Sequence, residues 1–187
     1  MNRSVRRTQR ELRRSLIELM KEKSILRITA KEVYEKADIG RTTFYAHYKD
    51  QFDILSEIEQ ETIEKFDEIL KKHDVDKKAD SKEIIKIATE ILNEIADNLG
   101  ILNILLSENG NIIFQKKFYS YFIAHYQKKL QKKSDYQENT FIHECYSVFL
   151  VNGYIGLIQH WLKNDKKIPV PELAKMLVHL AMAKLWK

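Results

Sequence analysis

At 187 residues with a net charge of +5, the chain is long enough to bury a sizeable core without covalent staples. Its one cysteine, Cys145, excludes an internal disulfide and suits a reducing, cytoplasmic compartment. Two Pro and five Gly are few for a fold built on turns, and no unbroken apolar run reaches the ~18 residues of a membrane span, so an all-α fold with no membrane partner is expected.

The net charge conceals an asymmetry. Residues 1–50 carry 13 Lys/Arg against 7 Asp/Glu, whereas residues 51–187 carry 19 against 20. All eight arginines lie at or before Arg41. Arginine forks to phosphates and to guanine edges, so its confinement to one end of the chain points to nucleic acid. Glu11 and Glu18 interrupt the Arg-rich start, which runs on into helical periodicity and reads as part of the fold rather than as a transit peptide.

Leu12, Leu16, Leu19 and Met20 recur at helical spacing and predict a first helix over about 4–24, with Arg6, Arg10, Arg13 and Arg14 on its other face. Thr29 followed three residues later by Glu32 is a capping box, opening a short second helix with Ala30, Val33, Tyr34 and Ala37 inward. Asp38-Ile39-Gly40 is the turn, Asp tolerating and Gly freely adopting a left-handed backbone. A third helix follows over about 41–48, with Phe44 and Tyr48 facing inward. Asp50 caps a long fourth helix whose seam is Leu55, Ile58, Thr62, Phe66 and Ile69, ending near Lys72. The polar stretch 73–80 is a linker. Further helices are expected at about 81–98, 100–107, 111–133, 137–164 and 170–186, giving about nine in all.

The second and third helices form a helix-turn-helix, in which 29–36 braces and 41–48 enters the major groove. The residues expected at DNA are Thr29, Arg41, Thr42, Thr43, Tyr45, His47, Tyr48 and Lys49. Arg41 suits a guanine, Thr42 and Thr43 a base edge or a thymine methyl, and Tyr45 a base or phosphate. Thr29 opens a helix N-terminus suited to one phosphate, and Lys49 supplies a second clamp. Phe44 belongs to the core, and Tyr48 reads equally as core with its hydroxyl at the surface.

These residues carry a family resemblance. From about Arg7 to Leu55 the chain resembles the N-terminal domain of the TetR/AcrR family of bacterial transcriptional regulators, through Thr29-Ala-Lys-Glu-Val33, Ala37-Asp38-Ile39 and Arg41-Thr-Thr-Phe-Tyr45 with His47-Tyr48. Two positions depart from the family pattern. Asp38 stands where a turn Gly is usual, and Gln51 replaces a Lys that commonly touches phosphate, leaving Lys49 as the candidate for that contact. The segment Gly153–Leu162, with Pro171-Glu172-Leu173-Ala174 after it, resembles the AcrR-like branch.

The resemblance implies an N-terminal helix-turn-helix domain over 1–49 and a C-terminal effector-sensing and dimerisation domain over 50–187, joined through the fourth helix. It implies a homodimer on a near-palindromic double-stranded DNA operator, repression relieved by an effector, and no cofactor or metal. The last two helices would pair across a two-fold axis, with Tyr154, Leu157, Trp161, Leu173, Leu177 and Leu180 at the interface. Gly153 and Gly156 would let the partner's helix approach closely. Phe114, Phe118, Phe122, Tyr146 and Phe149 either wall an effector pocket or fill the core.

No constellation for catalysis appears. His143 and Cys145 are two apart and diverge on a helix, no second Cys completes a zinc site, and no Gly-rich phosphate loop exists. The residues three before His125 and His160 are Phe122 and Leu157, not the Glu of a helical di-metal site. The alternative class is a helical adaptor whose C-terminal domain holds a protein co-regulator instead of a small molecule.

Overall fold

The computed structural model describes residues 3–73, 80–96, 99–131, 140–164 and 167–182. Nine α-helices and one 3-10 turn, with no strand, make up these described residues. The fold is all-α, as expected. The chain divides into two compact units, residues 1–66 with 100–115, and residues 67–99 with 116–187.

In the first unit, α1 (Arg3–Glu22) buries Leu12, Leu16 and Met20 completely, together with Ser15. Its periodicity made this stripe, while Arg6, Arg7, Arg10 and Arg14 are exposed and Arg13 is half-buried. Ser24 then accepts from the Leu26 amide and caps a 3-10 turn, Ile25–Arg27. Ile25 and Ile28 plug the core on either side of it while Leu26 stays exposed. The Ile25 amide donates to Asn109 O at 3.0 Å, tying the turn to the segment between α6 (Leu99–Leu105) and α7 (Ile112–Gln131).

The next helix, α2 (Ala30–Lys36), packs on α1 and begins at the capping box. The Glu32 amide donates to the Thr29 hydroxyl at 3.3 Å, and the Thr29 amide donates to the Glu32 carboxylate at 2.9 Å. It ends in a Schellman motif: Asp38 N donates to Glu35 O and Ile39 N to Tyr34 O, with Asp38 left-handed at φ 54°. Gly40, by contrast, has φ −64° and ψ 145°, an extended conformation open to any residue. The turn therefore draws on the tolerance of Asp38 and makes no use of glycine's freedom.

The third helix is shorter than its sequence pattern suggests. Regular helix covers α3 (Arg41–Tyr45), and the chain then tightens, with the His47 and Tyr48 amides both donating to Phe44 O at 2.9 Å. The tightening brings Asp50 into place to cap α4 (Gln51–Lys72). Asp50 Oδ1 accepts from the Asp53 amide at 2.9 Å, and Asp53 Oδ2 accepts from the Lys49 amide at 3.1 Å. The first bond satisfies a donor that a helix start leaves free, and the second ties Lys49 back to the first turn. Along α4, Ile54, Leu55, Ile58, Phe66 and Ile69 are buried.

In the second unit, α5 (Ser81–Ala96) packs against α9 (Val170–Met182). Asp80 caps α5 by accepting from the Glu83 amide at 2.8 Å. Between them in sequence, α8 (Thr140–Lys163) sends Tyr146 and Tyr154 hydroxyls to the carbonyls of Ala181 and Leu177 on α9. The expected linker lies mainly outside the described residues, as do the last residues expected in α7 and α9 and the first in α8.

The stretch Phe141–Lys163 is long and apolar enough, by length and composition, to cross a membrane. Glu144, Asn152 and Gln159 break it into short runs, so it contains no unbroken apolar segment of spanning length. Much of it is exposed, including Phe141, Ile142, Val148 and Phe149.

Candidate nucleic-acid interface

The segment 41–48 is anchored by one ring. Phe44 is fully buried and meets Tyr34 of α2 at 5.8 Å, Tyr45 edge-on at 5.2 Å and Tyr48 at 6.4 Å, centroid to centroid. Fixing that ring turns the neighbouring positions outward. Arg41, Thr42, Thr43, Tyr45 and Ala46 are exposed, as is Lys49, and His47 is half-buried. The Arg41 guanidinium lies over the Tyr45 ring at 5.8 Å, a cation–π contact that pre-orders two long side chains.

Thr29 is exposed at the head of α2, its hydroxyl already engaged with the Glu32 amide and carboxylate. Lys23 pairs with the same carboxylate. Hydrogen bonds from Lys23 and then from Thr29 pull the Glu32 pKa down to about 2. This end of α2 is thus held by charge as well as by capping.

Tyr48 differs from its neighbours. It is buried, and its hydroxyl donates to Glu57 of α4 at 2.6 Å; burial and this bond both push its pKa up. On α1, Arg13 forks onto Glu61 of α4, one nitrogen at 2.8 Å from Oε1. Arg10 and Arg14 both approach Glu11. These arginines border a groove of about 610 Å³ in the first unit, floored by Ile17, Ile58 and Ile101. Glu57 and Glu61 became visible as partners only in the structure, since the Tyr48–Glu57 pair depends on the corner between α3 and α4 and the Arg13–Glu61 pair on how α1 and α4 cross.

The residues expected at an effector divide between the two units. Phe114 belongs to the first unit and is buried. In the second unit Phe118 is buried against Phe122, centroids 4.6 Å apart, Tyr146 bonds Ala181 O, and Phe149 is 60% exposed. Of the residues expected at a dimer interface, Leu180 is 43% exposed, whereas Leu173 and Leu177 are buried and Leu157 is half-buried. Trp161 is also buried, with its indole N–H donating to Ile168 O at 2.8 Å. Half-buried Tyr154 reaches Leu177 O at 3.3 Å.

A capped brace helix, a tight turn, an outward-facing basic segment and a long following helix define a helix-turn-helix transcriptional regulator. A family model described as the C-terminal region of transcriptional regulators matches residues 82–183. The chain belongs to the TetR family of transcriptional regulators. Among solved structures it resembles a TetR transcriptional regulator from Streptococcus agalactiae 2603V, with TM-score 0.65, 22% identity and 96% of each chain covered. It also resembles the fatty acid degradation regulator FadR from Bacillus halodurans, with TM-score 0.65, 14% identity, 95% of this chain and 96% of that one. A third likeness is to the dihydroxyacetone kinase operon activator DhaS, with TM-score 0.51, 18% identity and the same coverage. No curated protein matches. Regulators of this family bind DNA through a helix-turn-helix and dimerise.

Proposed function

We propose that the protein is a dimeric, sequence-specific DNA-binding regulator, a repressor released from its operator by an effector. Residues 1–49 would read DNA, and residues 50–187 would dimerise and sense. The observation that carries this reading is the row Arg41, Thr42, Thr43 and Tyr45, set outward by the buried Phe44. Arg41 would fork to a guanine and the threonines would meet base edges, each such contact contributing about 1–3 kcal/mol of discrimination. Thr29 and Lys49 would hold phosphates, which position the reader without specifying sequence.

The dimer surface proposed here is the exposed apolar side of α8 and α9. It takes in Phe141, Val148 and Phe149 with Met176 and Leu180, and a shallow groove of about 410 Å³ lines the α9 part. Nothing lies within 4 Å of a Cβ placed at Gly153 or Gly156, so a partner's helix has room there. On this reading Phe149 serves the dimer rather than an effector. Two readers related by the two-fold axis would then lie about 34–36 Å apart, or a little more, in successive major grooves. An effector, whether a metabolite or a protein, acts by preferring one arrangement of α4 and so one reader spacing.

Selection of genomic fragments on the purified protein, beside Tyr45→Ala, tests this. The expected result is an enriched inverted repeat that the variant loses or blurs. Equal retention of unrelated fragments by both proteins overturns it.

A further inference from the structure

Two elements of the first unit are held by carboxylates one turn apart on α4. The Tyr48 hydroxyl, at the end of the reading segment, donates to Glu57 Oε2 at 2.6 Å. Glu61, four residues on and therefore on the same helix face, receives both terminal nitrogens of Arg13 from α1. Arg13 also attracts Glu57 electrostatically, so the two bonds share one field.

Packing alone does not call for the Tyr48–Glu57 bond. The ring of Tyr48 already meets Phe44, and a phenylalanine would fill the same space. Apolar contact is non-directional and tolerates small rotations of one helix over another. A hydrogen bond to a charged acceptor is directional and stronger than a neutral one, so it fixes an angle. The bond joins the last residue before Lys49 to the second turn of the helix that Asp50 opens. It therefore closes the corner between α3 and α4 as a polar clasp, while the Asp50–Asp53 cap holds the corner's apex.

We propose that Glu57 is a positioning residue for DNA reading: by holding the Tyr48 hydroxyl it sets the angle at which residues 41–48 leave α4. That angle decides whether Arg41, Thr43 and Tyr45 reach base edges together. Glu57 itself touches no DNA, and Tyr48 acts through α4 rather than as a contact. The inference rests on the DNA-reading function proposed above and names how its register is held.

Tyr48→Phe keeps the buried ring and removes only the clasp. Glu57→Ala removes the acceptor, and Glu57→Gln retains one in its amide oxygen. Two readouts are needed: amide hydrogen exchange over residues 41–49 in free protein, and affinity for a selected operator against random duplex. Loss of one charge-assisted bond corresponds to about tenfold, so Tyr48→Phe and Glu57→Ala are each expected to speed exchange and weaken operator binding by about that factor. Random-duplex affinity, set by phosphates, should stay within about twofold. Glu57→Gln, which keeps an acceptor but loses its charge, should fall between wild type and Glu57→Ala, and the double variant Tyr48→Phe/Glu57→Ala should be no worse than either single change. Unchanged exchange in Tyr48→Phe, equal losses on operator and random DNA, or additive losses in the double variant would each overturn the clasp. Wild-type protein that prefers no operator overturns the regulatory reading and the positioning role with it. A wild-type preference that Tyr48→Phe retains in full overturns the positioning role alone.

Discussion

At the scale of single residues, Thr29 and Glu32 carry two duties that can be separated. The hydroxyl of Thr29 is spent on the α2 cap, so Thr29→Ala should lower stability by ~1 kcal/mol in chemical denaturation, while Thr29→Ser should restore it. A Thr29→Ser protein that is stable yet weakened on DNA would add a direct contact to the capping role. Glu32 titrates near 2 when folded, against an ordinary value of 4.5, because Lys23 and Thr29 stabilise its charge. A depressed carboxylate contributes stability above its unfolded pKa and loses it as pH falls through the folded one. The stability gap between wild type and Glu32→Gln should therefore be full above about 4.5 and close as pH falls toward 2. A gap of constant size across that window would contradict the ion-pair assignment.

At the scale of elements, much of the first unit was legible because its signals are local. A capping box, an inward stripe at helical spacing and an Asp cap each act within a few residues, and the structure carries all three. The turn was legible as a turn, but its chemistry was not. Asp38 rather than Gly40 takes the left-handed position, because the Schellman bonds place it directly after the α2 C-cap. A β-branched residue is strained there, so Asp38→Val should cost about 1–2 kcal/mol in equilibrium unfolding. The end of α3 was misjudged by a few residues because the α4 cap, five residues beyond, draws the chain into a tighter turn. The Tyr48 hydroxyl and Trp161 indole found partners whose distance in sequence no local pattern announces, Glu57 and Ile168.

For the whole molecule, the unsolved part of the sequence was the direction in which apolar side chains face. Helices 8 and 9 are apolar on several sides, so their pattern does not separate core from surface. In the fold, Leu173 and Leu177 turn inward while Val148, Phe149 and Leu180 remain exposed. An exposed apolar surface of this kind marks an interaction site in a folded protein. Phe149→Lys should therefore convert the dimer to monomer in sedimentation equilibrium, leaving helical content unchanged. A dimer that persists through this substitution would place the interface elsewhere. Monomers hold only one reader, so the same variant should lose operator affinity while Phe44 and the α2 cap remain intact.

The most direct test of the central claim is a hydroxyl-radical footprint of the protein on an operator selected from genomic DNA, read beside Arg41→Ala. Two protected half-sites, about 10–10.5 base pairs or a little more from centre to centre, are expected for paired readers on one face of the duplex. Arg41→Ala should weaken both half-sites together, by about 1–3 kcal/mol per reader. A single protected tract, or protection without sequence register that Arg41→Ala leaves unchanged, would contradict a dimer reading DNA through residues 41–48.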